Sequence, residues 1–447
     1  MRHCLLSTTF VALLASGLFA QNSPPAAGPM KLTLKQAIDT ALIPEGNALL
    51  QLAAEGVEQA KAHATRLHAD QKPDFQGVFS TQTVALNLAS LGLPAGITLD
   101  GVNLSQISGS YSITQAKVMV NQKFLDMGLS ERVKAARTGI GVAQSDEENT
   151  KDRVAGEVAK LYLWASRLDA KVSAAHANLG LAETLLKRAQ DRQNLGTGLA
   201  VDTARAGAQV ANVRQEAFVA ESEQLRTHLN LLKAMNLELD TETDLVDGLN
   251  IRPVQVSSRE QAMDDALKHR SDYLAQVRRE ESSRVTYHAG ELERLPYIEG
   301  TADYGTAGAG ISLAQTYSVG VSLRVPIMDS GRRKSELAED MAAVRQEEIR
   351  TKDLHRQIEL EVKLAFGELE SGRLQVTAAE EGLTVAQSEL AHAMQRYDEG
   401  VANSLEISDA QDRLERARDN RTEALFNLNA AQIDLMVATG VVRDRLQ

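Results

Sequence analysis

The chain has 447 residues, a formal net charge of −12 and only 4% aromatic residues. So few aromatics argue against a large conventional globular core and fit long, closely packed alanine-rich helices, whose outer faces carry the charge. The acidic balance disfavours nucleic acid as a partner.

Taken in order, residues 1–20 are expected to be a secretory signal peptide. Arg2 and His3 precede a short apolar run from Leu5 to Leu18, and Ala20 offers a small residue before a cut near Gln21. The run is shorter than the roughly 20 residues a spanning helix needs. Cys4, the only cysteine, lies ahead of it, so the mature chain is expected to be cysteine-free. An exported chain without a later apolar stretch is periplasmic, secreted or an outer-membrane β-barrel.

Residues 21–31 read as a flexible leader. Leu32 to His68 reads as helical, with an interruption at Pro44 and Gly46, and Pro73 ends it. Residues 74–124 are rich in Thr, Ser, Gln and Val and almost free of charge, which predicts strands over about 74–86 and 110–122. A long helix follows to Asn194. Its apolar seam runs Val154, Val158, Leu161, Ala165, Leu168, Val172, Ala175, Leu179, Ala182, Leu186, Ala189, in alternating steps of four and three. Gly196-Thr197-Gly198 breaks it, and a return helix runs to Leu237. Residues 238–257 read as a connector.

The plan then starts again. Gln261 to Leu267 echoes Gln36 to Leu42, and Pro296-Tyr297 echoes Pro73-Asp74. Strands are predicted over about 297–306 and 315–326, then a second long helix to Gly400. Its seam is Ile358, Val362, Ala365, Leu369, Gly372, Val376, Ala379, Leu383, Ala386, Leu390, Ala393, with only Gly372 outside the apolar pattern. Another return helix carries Ala410, Ala417, Ala424, Ala431 and Ala438 seven apart, small side chains that let helices pack closely on more than one side. The first structural repeat is thus 32–237 with its tip near 196, the second is 258–441 with its tip near 400, and 442–447 is a tail.

In Tyr317, Val319, Val321, Leu323 and Val325 apolar residues alternate with Ser318, Gly320, Ser322 and Arg324. This suits a half-buried soluble sheet or a transmembrane barrel with lipid outside and water inside. Four strands cannot close a barrel alone, whereas three copies supply twelve. In the first repeat Val118 and Val120 keep this phase and Ile113 does not, which predicts a β-bulge.

The duplicated plan, the Pro73 and Pro296 approaches to the strands, the Val325-Pro326-Ile327-Met328-Asp329-Ser330-Gly331-Arg332 exit and the two helix tips resemble the outer-membrane efflux protein family, the TolC-like outer-membrane factors. The resemblance covers about 32–441. It implies a mainly α fold with a small membrane β-barrel portion: a homotrimer with a 12-stranded barrel in outer-membrane lipid and a long α-helical periplasmic tunnel. It further implies a passive exit duct of a tripartite efflux or type I secretion system, coupled to an inner-membrane transporter through a periplasmic adaptor. The other reading is a structural periplasmic coiled-coil scaffold without a pore.

By the same resemblance, Glu406 and Asp409 in Leu405-Glu406-Ile407-Ser408-Asp409-Ala410 match the acidic entrance ring, Asp202 matches an acid that helps hold a closed state, and Tyr397 matches the gate tyrosine. Two acids early in a helix also simply favour its positive end. Ala402 stands where some relatives carry a gate-locking Arg, so another link, such as Arg192 or Arg396, has to serve. Gly196, Gly198, Leu199, Gly400 and Ala402 fall in loops resembling adaptor-docking tips. The histidines show no paired metal-ligand spacing, and no nucleophile or phosphate-binding loop is recognisable, so no enzyme activity, cofactor or metal is expected.

Overall fold

The computed structural model of the chain describes residues 29–86, 98–99, 102–103, 109–249, 258–309, 312–399, 401 and 404–446. The expected signal peptide and most of the expected leader lie outside them, as do Gly400 and Ala402.

The first repeat begins with strand β1 (Met30–Leu32) and helix α1 (Leu34–Ala41). Thr33 starts α1 with a capping box: its hydroxyl accepts from the Gln36 N–H at 3.2 Å, and the Gln36 side chain accepts from the Thr33 N–H at 3.0 Å. Pro44–Gly46 form a 3-10 turn before α2 (Ala48–Ala69). Then come β2 (Asp74–Leu86), the two-residue strands β3 (Thr98–Leu99) and β4 (Val102–Asn103), and β5 (Gly109–Phe124). Asp126 caps α3 (Met127–Asn194), accepting from the Leu129 N–H at 2.9 Å. With 68 residues, α3 is roughly 100 Å long. The return helix is α4 (Ala200–Ala234).

After β6 (Thr243–Leu245) the second repeat runs α5 (Arg259–His269), α6 (Ser271–Leu292), β7 (Tyr297–Ala309), β8 (Ala314–Arg324), α7 (Arg332–Asp398), α8 (Ser404–Ala438) and α9 (Val442–Leu446).

At three places the structure adds to or changes what the sequence predicts. Leu32 is not helical: β1 pairs in parallel with β6, so the expected leader ends in a strand and the expected connector contains its partner. Tyr162, fully buried in α3, fastens this pair. Its hydroxyl donates to the Leu32 carbonyl at 2.9 Å and accepts from the Asp247 N–H at 3.2 Å. Burial pushes its phenol up to about 12, so it stays a neutral donor. Second, the expected tail carries α9. Val442 is buried, and Arg443 bridges to Asp152 at 2.5 Å and Glu148 at 2.8 Å on α3.

The third place is the predicted bulge, which the structure does not have. β2 pairs with β5, and β5 with β7, in unbroken antiparallel register through Ile113. Ile113 departs from the apolar phase because its side chain belongs to the opposite face, not because the ladder is interrupted.

The two seams are the helical core. Val154, Val158 and Ala165 of α3 pack with Leu231 and Leu232 of α4 and Ile433 and Met436 of α8. Ile358, Val362, Ala365 and Leu369 of α7 pack with Ala431, Leu435 and Ala438 of α8. Gly372 has a steric reason for breaking the pattern: a Cβ there would stand 3.1 Å from the Leu428 Cα on α8, so the glycine permits the close approach of the two helices. Among the described residues no helix is long and apolar enough to cross a membrane.

Candidate membrane face and pore entrance

The four long strands form one sheet in the order β2-β5-β7-β8. Its registers place Phe75, Val120, Ala302 and Val319 in one row across the sheet, and Phe79, Val118, Tyr304, Tyr317, Val321 and Leu323 on that same face. This apolar face is bare: Tyr317 and Val319 are each 80% exposed, Val321 76% and Phe79 76%. A soluble sheet buries such a face against the rest of its fold. Toward the Leu86 end of β2 the apolar face carries two hydroxyl pairs, Thr81–Thr114 at 3.2 Å and Thr83–Ser112 at 3.1 Å. The opposite face holds the charged contacts. Gln115 donates to Ser80 at 2.8 Å, Lys117 pairs with Asp303 at 3.0 Å, and Glu299 pairs with Arg324. These ties join all four strands in turn. A greasy exterior and a hydrogen-bonded polar interior are the two surfaces of a membrane β-barrel wall.

At the far end of the long helices the two return turns come together. In the first, Gly196 adopts φ +73°, and the N–H groups of Thr197 and Gly198 both donate to the Arg192 carbonyl at 3.0 Å. A Cβ on Gly198 would lie 2.9 Å from the Gln193 nitrogen, so both glycines are required by the turn itself. Leu199 precedes α4 and is exposed, as are Leu195, Val401 and Leu405.

Tyr397 lies in the last turn of α7 and is only 8% exposed. The Arg192 guanidinium stacks over its ring, 4.3 Å from the centroid, and also donates to the Tyr397 carbonyl at 3.0 Å. This ties the tip of the first repeat to the tip of the second. Asp202, half-buried in the first turn of α4, sits 4.0 Å from Arg205 of its own helix. Glu406 begins α8 and pairs with Arg396 at 3.3 Å. Asp409, one turn on, is exposed and has no ion pair among the described residues. Both arginines named from the sequence as substitute links are thus engaged: Arg192 between the hairpins, Arg396 within the second.

An exposed apolar sheet face on a long helical stem, with no covering layer among the described residues, is that of an outer-membrane channel protein that extends into the periplasm. The chain belongs to the outer membrane efflux protein family, whose model matches residues 41–237 and 262–441. The outer membrane efflux protein BepC of Brucella suis biovar 1 is 22% identical over 354 residues, covering 75% of this chain and 76% of that protein. A membrane protein from Pseudomonas aeruginosa has the same fold with a TM-score of 0.78 at 19% identity, over 91% of this chain and 93% of that one. The Campylobacter jejuni CmeC outer membrane channel matches with a TM-score of 0.75 at 16% identity, over 91% of this chain and 85% of that one. Family and fold are those of channel proteins rather than enzymes, and the protein is an outer-membrane channel subunit of an efflux system.

Proposed function

We propose that three copies of the chain close a 12-stranded barrel and a helical tunnel, forming a passive exit duct. The observation that carries this is the bare apolar face together with two sheet edges that have no partner strand among the described residues. β2 and β8 border the sheet, and both are long. An exposed, regular edge invites a further strand. Because the sheet has an even number of alternating strands, β8 of one copy lies antiparallel to β2 of the next, and three such junctions give a closed ring. A periplasmic scaffold without a pore would instead leave the apolar face in water.

The helices offer matching edges: α3 packs on α2, α4, α6 and α8, while α7 flanks the array. A junction between copies along α7 continues the β8 edge toward the tips. There Glu406 and Asp409, repeated threefold, form a ring of carboxylates that concentrates cations at the narrow end. Exposed Leu195, Leu199 and Leu405 at the turns support docking of a periplasmic adaptor, through which an inner-membrane transporter supplies the energy.

The barrel junction is tested by disulfide trapping. Placing one cysteine on β2 and one on β8, at staggered registers, is expected to give a covalent ladder that stops at the trimer. Absence of any bridge between chains at every register, or an open-ended ladder, overturns the closure.

A further inference from the structure

We infer that the cavity between the two tip hairpins is a binding site for a small, neutral, amphipathic aromatic molecule. Its volume is about 250 Å³, and α3, α4, α7 and α8 all contribute to its wall. Much of its wall is apolar: Ala182, Ala189, Ile407 and Tyr397 line it and are all buried. The space exists because alanines stand where larger side chains would fill it. A cavity of about 150 Å³ already admits benzene, so this one admits a bicyclic ring system.

Other lining residues supply the polarity. Gln209 and Asn212 of α4 and Ser408 and Gln411 of α8 line the cavity, and none of their side chains has a hydrogen-bond partner among the described residues. These are four neutral side chains that donate and accept, contributed by both hairpins. The adjoining charges, Asp202 and Arg205, are of opposite sign. The chemistry therefore selects a flat apolar body with one or two hydroxyl, amide or similar groups, and it does not select a net charge.

A ligand seated there touches the α3–α4 and α7–α8 hairpins at once, beside the Arg192–Tyr397 tie. It stabilises the arrangement in which the cavity has this shape. Resting on the channel reading above, occupancy holds the tips in this arrangement and lowers the current.

The probe is 1-naphthol, titrated by saturation-transfer NMR against the full protein in lipid nanodiscs. Partition into lipid is not saturable and is common to all variants. Saturable binding is expected with a dissociation constant on the order of 0.1–1 mM. Ala206→Phe, which fills the space from α4, should weaken it at least tenfold. Gln209→Leu with Gln411→Leu, at half-buried polar positions of the wall, should weaken it roughly two- to twelvefold, the range of one net hydrogen bond. Binding that is unsaturable, or unchanged in both variants, overturns the site. In planar bilayers, 1-naphthol on the tip side should lower the wild-type current and leave Ala206→Phe untouched. Saturable binding with no effect on current overturns the holding of the tips. A protein that binds the probe and never conducts removes the channel reading and leaves the site standing.

Discussion

Tyr397 engages its partner through its ring face and its backbone carbonyl, and both are met by Arg192. Its hydroxyl has no hydrogen-bond partner among the described residues. Arg192→Ala should therefore loosen the tips by about 1–2 kcal/mol per protomer and raise the open probability in planar bilayers severalfold. Tyr397→Phe keeps both interactions and should leave gating at the wild-type level. A Phe variant that opens as widely as Arg192→Ala would show that the hydroxyl, not the ring face, holds the tip. The acids divide similarly. Glu406 is partly neutralised by Arg396, whereas Asp409 is exposed and without an ion pair among the described residues. Asp409→Asn should shift the reversal potential further from cation selectivity than Glu406→Gln does. Unchanged reversal potentials in the double variant would remove both from the entrance ring. The position of Glu406, Asp409 and Tyr397 at the tip of the second hairpin was legible in the sequence, because they sit in short motifs beside helix breaks. The Arg192–Tyr397 stacking was not, since no spacing within one helix reports on a ring belonging to the other repeat.

Along the helices the decisive pattern is the pair of heptad seams, and these were legible because a packed helix must repeat its apolar residues every three to four positions. Even Gly372, the one exception, has a reason in the approach of α8, although a sequence does not say which neighbour comes close. Short elements were less legible. β1 and β6 are three residues each and distant in the chain, so their parallel pairing leaves no periodic trace. The face between α3, α4 and α8 carries a cost of its own. Burial, then the charge of Glu216, raises Glu415 above the usual carboxylate range, with Asp419 and Asp412 adding to it and Asn178 opposing. Burial likewise raises Asp419, opposed by Lys171 and Arg167 and reinforced by Glu423. A raised folded-state pKa means that the folded protein takes up these protons before the unfolded chain does. Their contribution to stability therefore rises as the pH falls from 7 through the raised pKa values, and levels off below the ordinary carboxylate pKa. Glu415→Gln and Asp419→Asn should raise the Tm at pH 7 and shrink its advantage over wild type as the pH approaches 4. A difference in Tm that does not change with pH would show that these carboxylates titrate normally.

At the scale of the whole molecule, the alternation in β8 alone did not separate a soluble sheet from a membrane wall, because both alternate with a period of two. The distinction lies in what covers the apolar face, and that is a property of the fold. The apolar phase breaks at Ile113 for a related reason: the residue lies on the opposite face of an unbroken ladder, which alternation read along one strand does not distinguish from a bulge. What the duplication did convey was an even number of strands, which permits closure by identical copies. The central physical claim is that the bare sheet face is a lipid face enclosing an aqueous path. Unitary current through the purified protein in planar lipid bilayers tests it most directly. The account predicts discrete, cation-selective conductance steps from a trimeric preparation. A stable trimer that inserts into the bilayer and never conducts, with the wild-type tips or with Arg192→Ala, would contradict it.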